Sequence, residues 1–80
     1  MGNNYHDELA KENQLKLRGV LEELPRFCTT FFRGIEPTTS SRTRIAYAYD
    51  LRVFFYFLKQ EHPLCKEMDI REIPLEILDQ

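Results

Sequence analysis

Apolar residues recur at three- and four-residue steps along most of this chain, and no segment alternates apolar with polar residues as a half-buried strand would. Leu9, Leu17, Val20, Leu21 and Leu24 set the first such pattern and predict a helix over residues 5–23, after a polar, frayed start at 1–4. Gly19 lies inside it and costs about 1 kcal/mol relative to alanine, which marks a kink or a close packing contact. The Leu24-Pro25 step is a boundary, because proline disfavours helical geometry in the residue before it and suits the first turn of a new helix. Phe27, Cys28, Phe31, Phe32 and Ile35 form the apolar stripe of a second, short helix over 25–34, which Gly34 and Pro37 close.

The third pattern is the longest. Thr38, Thr39 and Ser40 are each able to cap a helix that runs over 40–61 until Pro63 stops it, a length of about 33 Å. A connector with apolar anchors at Leu64, Met68, Ile70 and Ile73 follows. Pro74 then stands at the first turn of a fourth helix over 74–80, with Leu75 and Leu78 opening its apolar face. That helix is too short for the usual three turns, and the reading is of a fragment from a longer protein. The expectation is one all-α domain, a small four-helix bundle with its last helix cut short.

Wound at about 100° per residue, the long helix places Thr43, Tyr47, Leu51, Phe54 and Leu58 within an arc of about 80°, the width of a buried stripe. Asp50 lies beside that stripe and does not fit it. The other side carries Ile45, Tyr49, Arg52, Tyr56 and Lys59, with Ser41 and Ala48 in line with Arg52. Cations interleaved with aromatics can meet phosphates and base edges. The plain alternative is that Tyr49 and Tyr56 pack on a neighbouring helix while Arg52 and Lys59 are solvated. Ser40, Ser41, Arg42, Thr43 and Arg44 crowd the helix start, where unpaired N–H groups and the helix dipole favour an anion such as phosphate. Capping alone would need only one of those hydroxyls, and both readings stand.

Composition narrows the classes. Eighty residues make one small domain with a single core, and 42% apolar with 30% charged residues describe a globular chain. The net charge of −2 shows no overall excess of positive charge, so nucleic-acid binding would depend on a local patch. Cys28 and Cys65 stand far apart without a CxxC partner or histidine pair, which indicates neither a disulfide framework nor a zinc site and makes a reduced, cytoplasmic protein the expectation. The longest apolar run spans only Val53 to Leu58, too short for a membrane span, and no signal segment opens the chain. His6 and His62 are isolated, and Glu22 with Glu23, or Glu67 with Asp69, read as solvated charges, so no active site, metal or cofactor is expected.

Thr43, Tyr47, Leu51, Phe54, Phe57 and Leu58, preceded by Ser40 and Ser41 and followed by a connector and Asp69-Ile-Arg-Glu-Ile-Pro-Leu-Glu, carry a resemblance. Their spacing resembles the N-terminal core-binding domain of tyrosine recombinases, the phage and Xer-type integrases, also described as SAM-like. The likeness covers residues 12–80 and rests mostly on hydrophobic spacing. The run Phe31-Phe32-Arg33-Gly34-Ile35-Glu36-Pro37 looks similar to integrases of Gram-positive bacteria and their mobile elements.

The resemblance implies a four-helix module that closes, with a following catalytic domain, as a clamp around a double-stranded DNA core site in a bacterial or phage cytoplasm. Recombination by the full-length protein would proceed in a tetramer on DNA, and the isolated fragment would be a monomer. The family's catalytic arginines, lysine, histidines and tyrosine belong to the following domain, and Tyr5, Tyr47, Tyr49 and Tyr56 do not lie in a matching context, so this chain would bind DNA without cutting it. Arg42, Arg44, Arg52 and Lys59 are the candidate DNA contacts, with Ser40, Ser41 and Thr43 beside them. The alternative is a helical protein-interaction module that uses the Tyr49/Tyr56 face and touches no DNA.

Overall fold

Pro25 and Pro63 divide the chain into the segments the fold is built from. The computed structural model describes the backbone of residues 3–79 and the side chains of residues 8–79. Three α-helices, α1 (Asn3–Leu21), α2 (Phe27–Ile35) and α3 (Ser41–Glu61), are followed by an irregular segment, and there is no strand among the described residues. Short 3-10 turns occupy Glu36–Thr38, Ile70–Glu72 and Leu75–Asp79. The fold is all-α, as the periodicity predicts.

The helix ends differ from expectation for local reasons. α1 stops at Leu21 rather than residue 23, because its last turn tightens: the Glu23 and Leu24 amides bond to the carbonyls of Val20 and Leu21, three residues back. That tightening turns Leu24 and Pro25 into the interior, where both are buried. At the other end, Asn3 and Asn4 are helical, not frayed, and residues 1 and 2 lie outside the described residues. α2 begins at Phe27, two residues after the expected start, and runs past Gly34 into the Glu36–Thr38 turn, whose opening accommodates Pro37 because proline has no N–H to place. Ser40 is the residue that caps α3: its backbone is extended and its Oγ accepts the Thr43 amide at 3.1 Å. The expected fourth helix is a 3-10 stretch, Leu75–Asp79, entered by the bond from the Ile77 amide to the Pro74 carbonyl.

α1 and α3 run parallel. Asn13 Nδ2 donates to Ser41 Oγ at 3.4 Å, and ten residues further on, just past the end of α1, Glu23 meets Arg52 and Tyr56 of α3. α2 returns antiparallel, with Phe27 edge-on to Phe55 at 5.9 Å near one end and Glu36 at Arg44 near the other. Because Asn13 is level with the start of α3, the first ten residues of α1 project past it by about 15 Å. The molecule is accordingly a rod of 53 × 19 × 15 Å. Its radius of gyration of 14.6 Å exceeds the about 12 Å of a compact chain this long.

The core lies at the thick end. Val20 comes from α1 and Leu24 from the turn after it, Cys28 and Phe32 come from α2, and Ile45, Ala48 and Phe55 from α3, while Cys65, Ile73 and Ile77 from the irregular segment complete it. That segment is tied back by the Arg71 guanidinium donating to the Leu21 carbonyl at 3.0 Å and by the Arg26 amide donating to the Arg71 carbonyl.

The face of α3 that enters this core is not the expected one. Of the predicted stripe, Leu51, Leu58 and Thr43 are half-buried, but Tyr47 is 45% and Phe54 41% exposed. Ile45 and Ala48, assigned to the outer side, are buried. The helix is turned by about 100° from the predicted orientation, judged by its 3.6-residue period. α3 is apolar on most of its circumference, so periodicity alone does not choose its buried side; the flanking helices do.

Candidate nucleic-acid interface

The sequence nominates seven polar side chains of α3 and its cap as DNA contacts, and their surroundings divide them sharply. Ser40 is committed to capping, and its hydroxyl also donates to Thr43 Oγ1 at 2.9 Å. Ser41 accepts from Asn13 and helps hold α1 against α3. Thr43 is half-buried beside the cap.

Arg44 is buried, with 7% of its surface exposed. Its Nη1 donates to the Glu36 carbonyl at 3.0 Å, to the Thr39 carbonyl and to Thr39 Oγ1 at 3.1 Å. The guanidinium therefore closes the turn between α2 and α3, bonding to carbonyls of the 3-10 turn and of the residue that follows it. Arg52 pairs with Glu23 at 3.1 Å and lies over the Tyr49 ring, its guanidinium carbon 5.2 Å from the centroid. Tyr56 donates its hydroxyl to the other oxygen of the same Glu23 carboxylate at 3.2 Å. Lys59 donates to the backbone carbonyls of Lys66 and Met68 and so anchors the irregular segment.

Of the four nominated cations, three are thus engaged within the fold. Arg42 is exposed and has neither an ion pair nor a side-chain hydrogen bond among the described residues. It stands on the first turn of α3, on the side away from the core.

The fold also gathers arginines that the α3-centred reading missed. A groove of about 370 Å³ between α1 and α2 is lined by Arg18, Arg33, Arg44 and Arg71, with Glu22 and Glu36. Arg18 and Arg33 sit in the last turns of α1 and α2, where the helix dipole favours a cation, and that position in each helix is the signal that would have marked them. Neither has an ion-pair partner among the described residues.

The charge is unevenly spread. Residues 8–18 and 33–44, which meet around the start of α3, hold six cations against three carboxylates, while residues 19–32 and 45–79 hold five cations against nine. A net charge of −2 therefore conceals a positive end and a negative one.

Both cysteines are buried, and burial pushes the Cys28 thiol up to about 11, away from the reactive thiolate. His62 Nδ1 accepts the Leu64 amide at 3.1 Å in a turn, and the side chain of His6 lies outside the described residues. Glu22, Glu23, Glu67 and Asp69 border one shallow depression together with Lys59 and Arg71. The described residues contain no group of three or more His, Cys, Asp or Glu side chains able to hold a metal ion, and no helix among them is long and apolar enough to cross a membrane. No family model, curated protein or solved structure matches the chain.

Proposed function

We propose that the chain is a DNA-binding, core-site module of a site-specific tyrosine recombinase or integrase, holding duplex DNA for integration or excision by a separate catalytic domain. The observation that carries this reading is the positive end of the molecule, where Arg33 closes α2 and Arg42 opens α3, both exposed and unpaired among the described residues. An exposed guanidinium suits phosphate oxygens, and the capped first turn of α3 holds Arg42 on a rigid element. Arg44 fixes the turn that separates the two arginines in the chain. The resemblance of residues 12–80 to core-binding domains supplies the functional class.

An NMR titration with a duplex of about two helical turns tests the reading. Salt-sensitive shifts clustered around Arg33 and residues 40–44 are expected, with weak affinity in the range of about 10⁻⁴ to 10⁻⁶ M at physiological salt. Shifts that are absent, or unchanged between low and high salt, would remove it.

A second reading, a helical protein-interaction module, is favoured by the apolar side chains that α3 leaves in solvent, Val53 at 70% and Phe57 at 60% exposure. On the Tyr49/Tyr56 face, Tyr56 and the Arg52 between them are tied to Glu23, just past α1, so the candidate surface moves to the opposite flank.

A further inference from the structure

Tyr47, Val53, Phe54 and Phe57 form a solvent-facing stripe on α3, and the only charged side chain within it is Asp50. By helical position, Asp50 lies between Val53 and Phe54 around the axis and one turn before them along it. It has no ion pair and no side-chain hydrogen bond among the described residues. Four large apolar side chains this exposed on one face approach the few hundred Å² at which a surface patch marks an interaction site.

The carboxylate chooses among the occupants. A second copy of the chain would have to pair α3 with itself about a two-fold axis through the stripe. In either orientation of the two helices, that axis brings the two Asp50 side chains within about one turn of each other in a desolvated seam. Two like charges without a counter-ion oppose such a contact. A lipid surface fails for the same reason, since it would bury an unpaired carboxylate among hydrocarbon. An added β-strand has nothing to bond to, because the backbone groups inside α3 are already paired along the helix. What remains is a partner that is itself helical, apolar along one stripe and cationic at its middle. From Tyr47 to Phe57 the stripe spans about three turns, a length suited to one amphipathic helix packed ridge into groove.

We propose that the Tyr47/Val53/Phe54/Phe57 face of α3 docks an amphipathic helix that presents a lysine or arginine to Asp50. The carboxylate gives register and selectivity, and the four apolar side chains give the contact area. This face is turned away from the contact with α1 and lies on the same side of α3 as Arg42, but Val53 and Phe57 stand about 16 Å or more along the axis from that arginine, so the two bindings can be read separately.

Two synthetic helices of about 18 residues test it, each with a leucine stripe and differing only in one central residue, lysine or glutamate. The lysine peptide is expected to bind the chain at least about tenfold tighter than the glutamate peptide, with amide shifts centred on Val53 and Phe57. Asp50→Lys should reverse that order, and Phe57→Asp should abolish both interactions while leaving a DNA titration unchanged. Both positions are exposed, so circular dichroism should report an intact fold in each variant. The proposal is overturned if neither peptide binds at about millimolar concentration, or if Asp50→Lys leaves the preference unaltered. It is equally overturned if sedimentation shows self-association that Phe57→Asp abolishes, or if neutral lipid vesicles capture the chain through Phe57.

Discussion

The Arg44 guanidinium reaches back five residues to Thr39, donating both to its carbonyl and, at 3.1 Å, to its hydroxyl oxygen. A third bond, to the Glu36 carbonyl, makes this one side chain the clasp of the turn between α2 and α3. Removing it would leave the Thr39 carbonyl without its side-chain donor and the Glu36 carbonyl with only the long 3.5 Å bond from the Thr39 amide. Arg44→Ala should therefore destabilise the fold by about 2–3 kcal/mol, the range for losing hydrogen bonds from a charged donor. Arg44→Lys should fall between, because an ammonium cannot reproduce the planar fork. Urea denaturation measures both, and a midpoint for Arg44→Ala equal to that of the native chain would refute the assignment.

Phe54 and Phe55 are neighbours in sequence, with ring centroids 5.1 Å apart, yet one is 41% exposed and the other 1%. The buried ring also meets Phe27 edge-on. Phe55→Ala should cost about 3–5 kcal/mol, through the lost transfer free energy and the cavity left behind. Phe54→Ala should cost about 1 kcal/mol or less, as a partly exposed side chain with little to collapse around. Thermal melts of the two variants decide which face of α3 is inside. A larger loss for Phe54→Ala than for Phe55→Ala would restore the stripe that periodicity favours.

That pair also shows where sequence is informative and where it falls silent. Leu24-Pro25, Ser40 and Pro63 are local signals, governed by proline sterics and capping, and they locate the breaks between helices to within two or three residues. The orientation of α3 is not local. With Ile45, Tyr47, Leu51, Val53, Phe54, Phe55 and Phe57 spread around it, the choice of buried face depends on where α1 and α2 can approach, and that is decided by contacts between residues far apart in the chain. The candidate site suffers in the same way. Arg42, Arg44, Arg52 and Lys59 look alike as sequence, but Glu23, Thr39 and the carbonyls of Lys66 and Met68 engage three of them. Arg33 belongs to a different helix, and only the fold brings it to Arg42's end of the rod.

If DNA is the partner, those four cations should behave differently. Arg42→Ala should weaken duplex binding across sequences and reduce the slope of log K against log salt by about one, as expected for one lost phosphate contact. Arg33→Ala should do the same independently. Arg52→Ala should leave the slope unchanged, since its guanidinium is held by Glu23 and Tyr49, and should lower stability by at most about 1 kcal/mol, because the pair is partly solvated. Fluorescence anisotropy over a salt series separates these outcomes. A slope that falls with Arg52→Ala but not with Arg42→Ala would put the contact on the wrong face for this reading.

Cys28 supplies a pH dependence with a definite sign. Its thiol is buried, and that burial raises its pKa from 9.0 to about 11 by penalising the thiolate. The unfolded chain therefore releases this proton at lower pH than the native one. Between about pH 9 and pH 11 the native state binds more protons, so stability falls as pH rises through that window and is unaffected by this group below it. A separation of about two pH units corresponds to a loss of roughly 2–3 kcal/mol. Other groups titrate in the same range, so the diagnostic is a difference. Cys28→Ala will be less stable than the native chain at neutral pH, because it leaves a small cavity. The gap between the two should then narrow from pH 9 upward as the native chain loses the contribution of its protonated thiol. Urea midpoints measured for both proteins at several pH values test this, and a gap that stays constant up to pH 11 would show that the thiol ionises as readily in the fold as outside it.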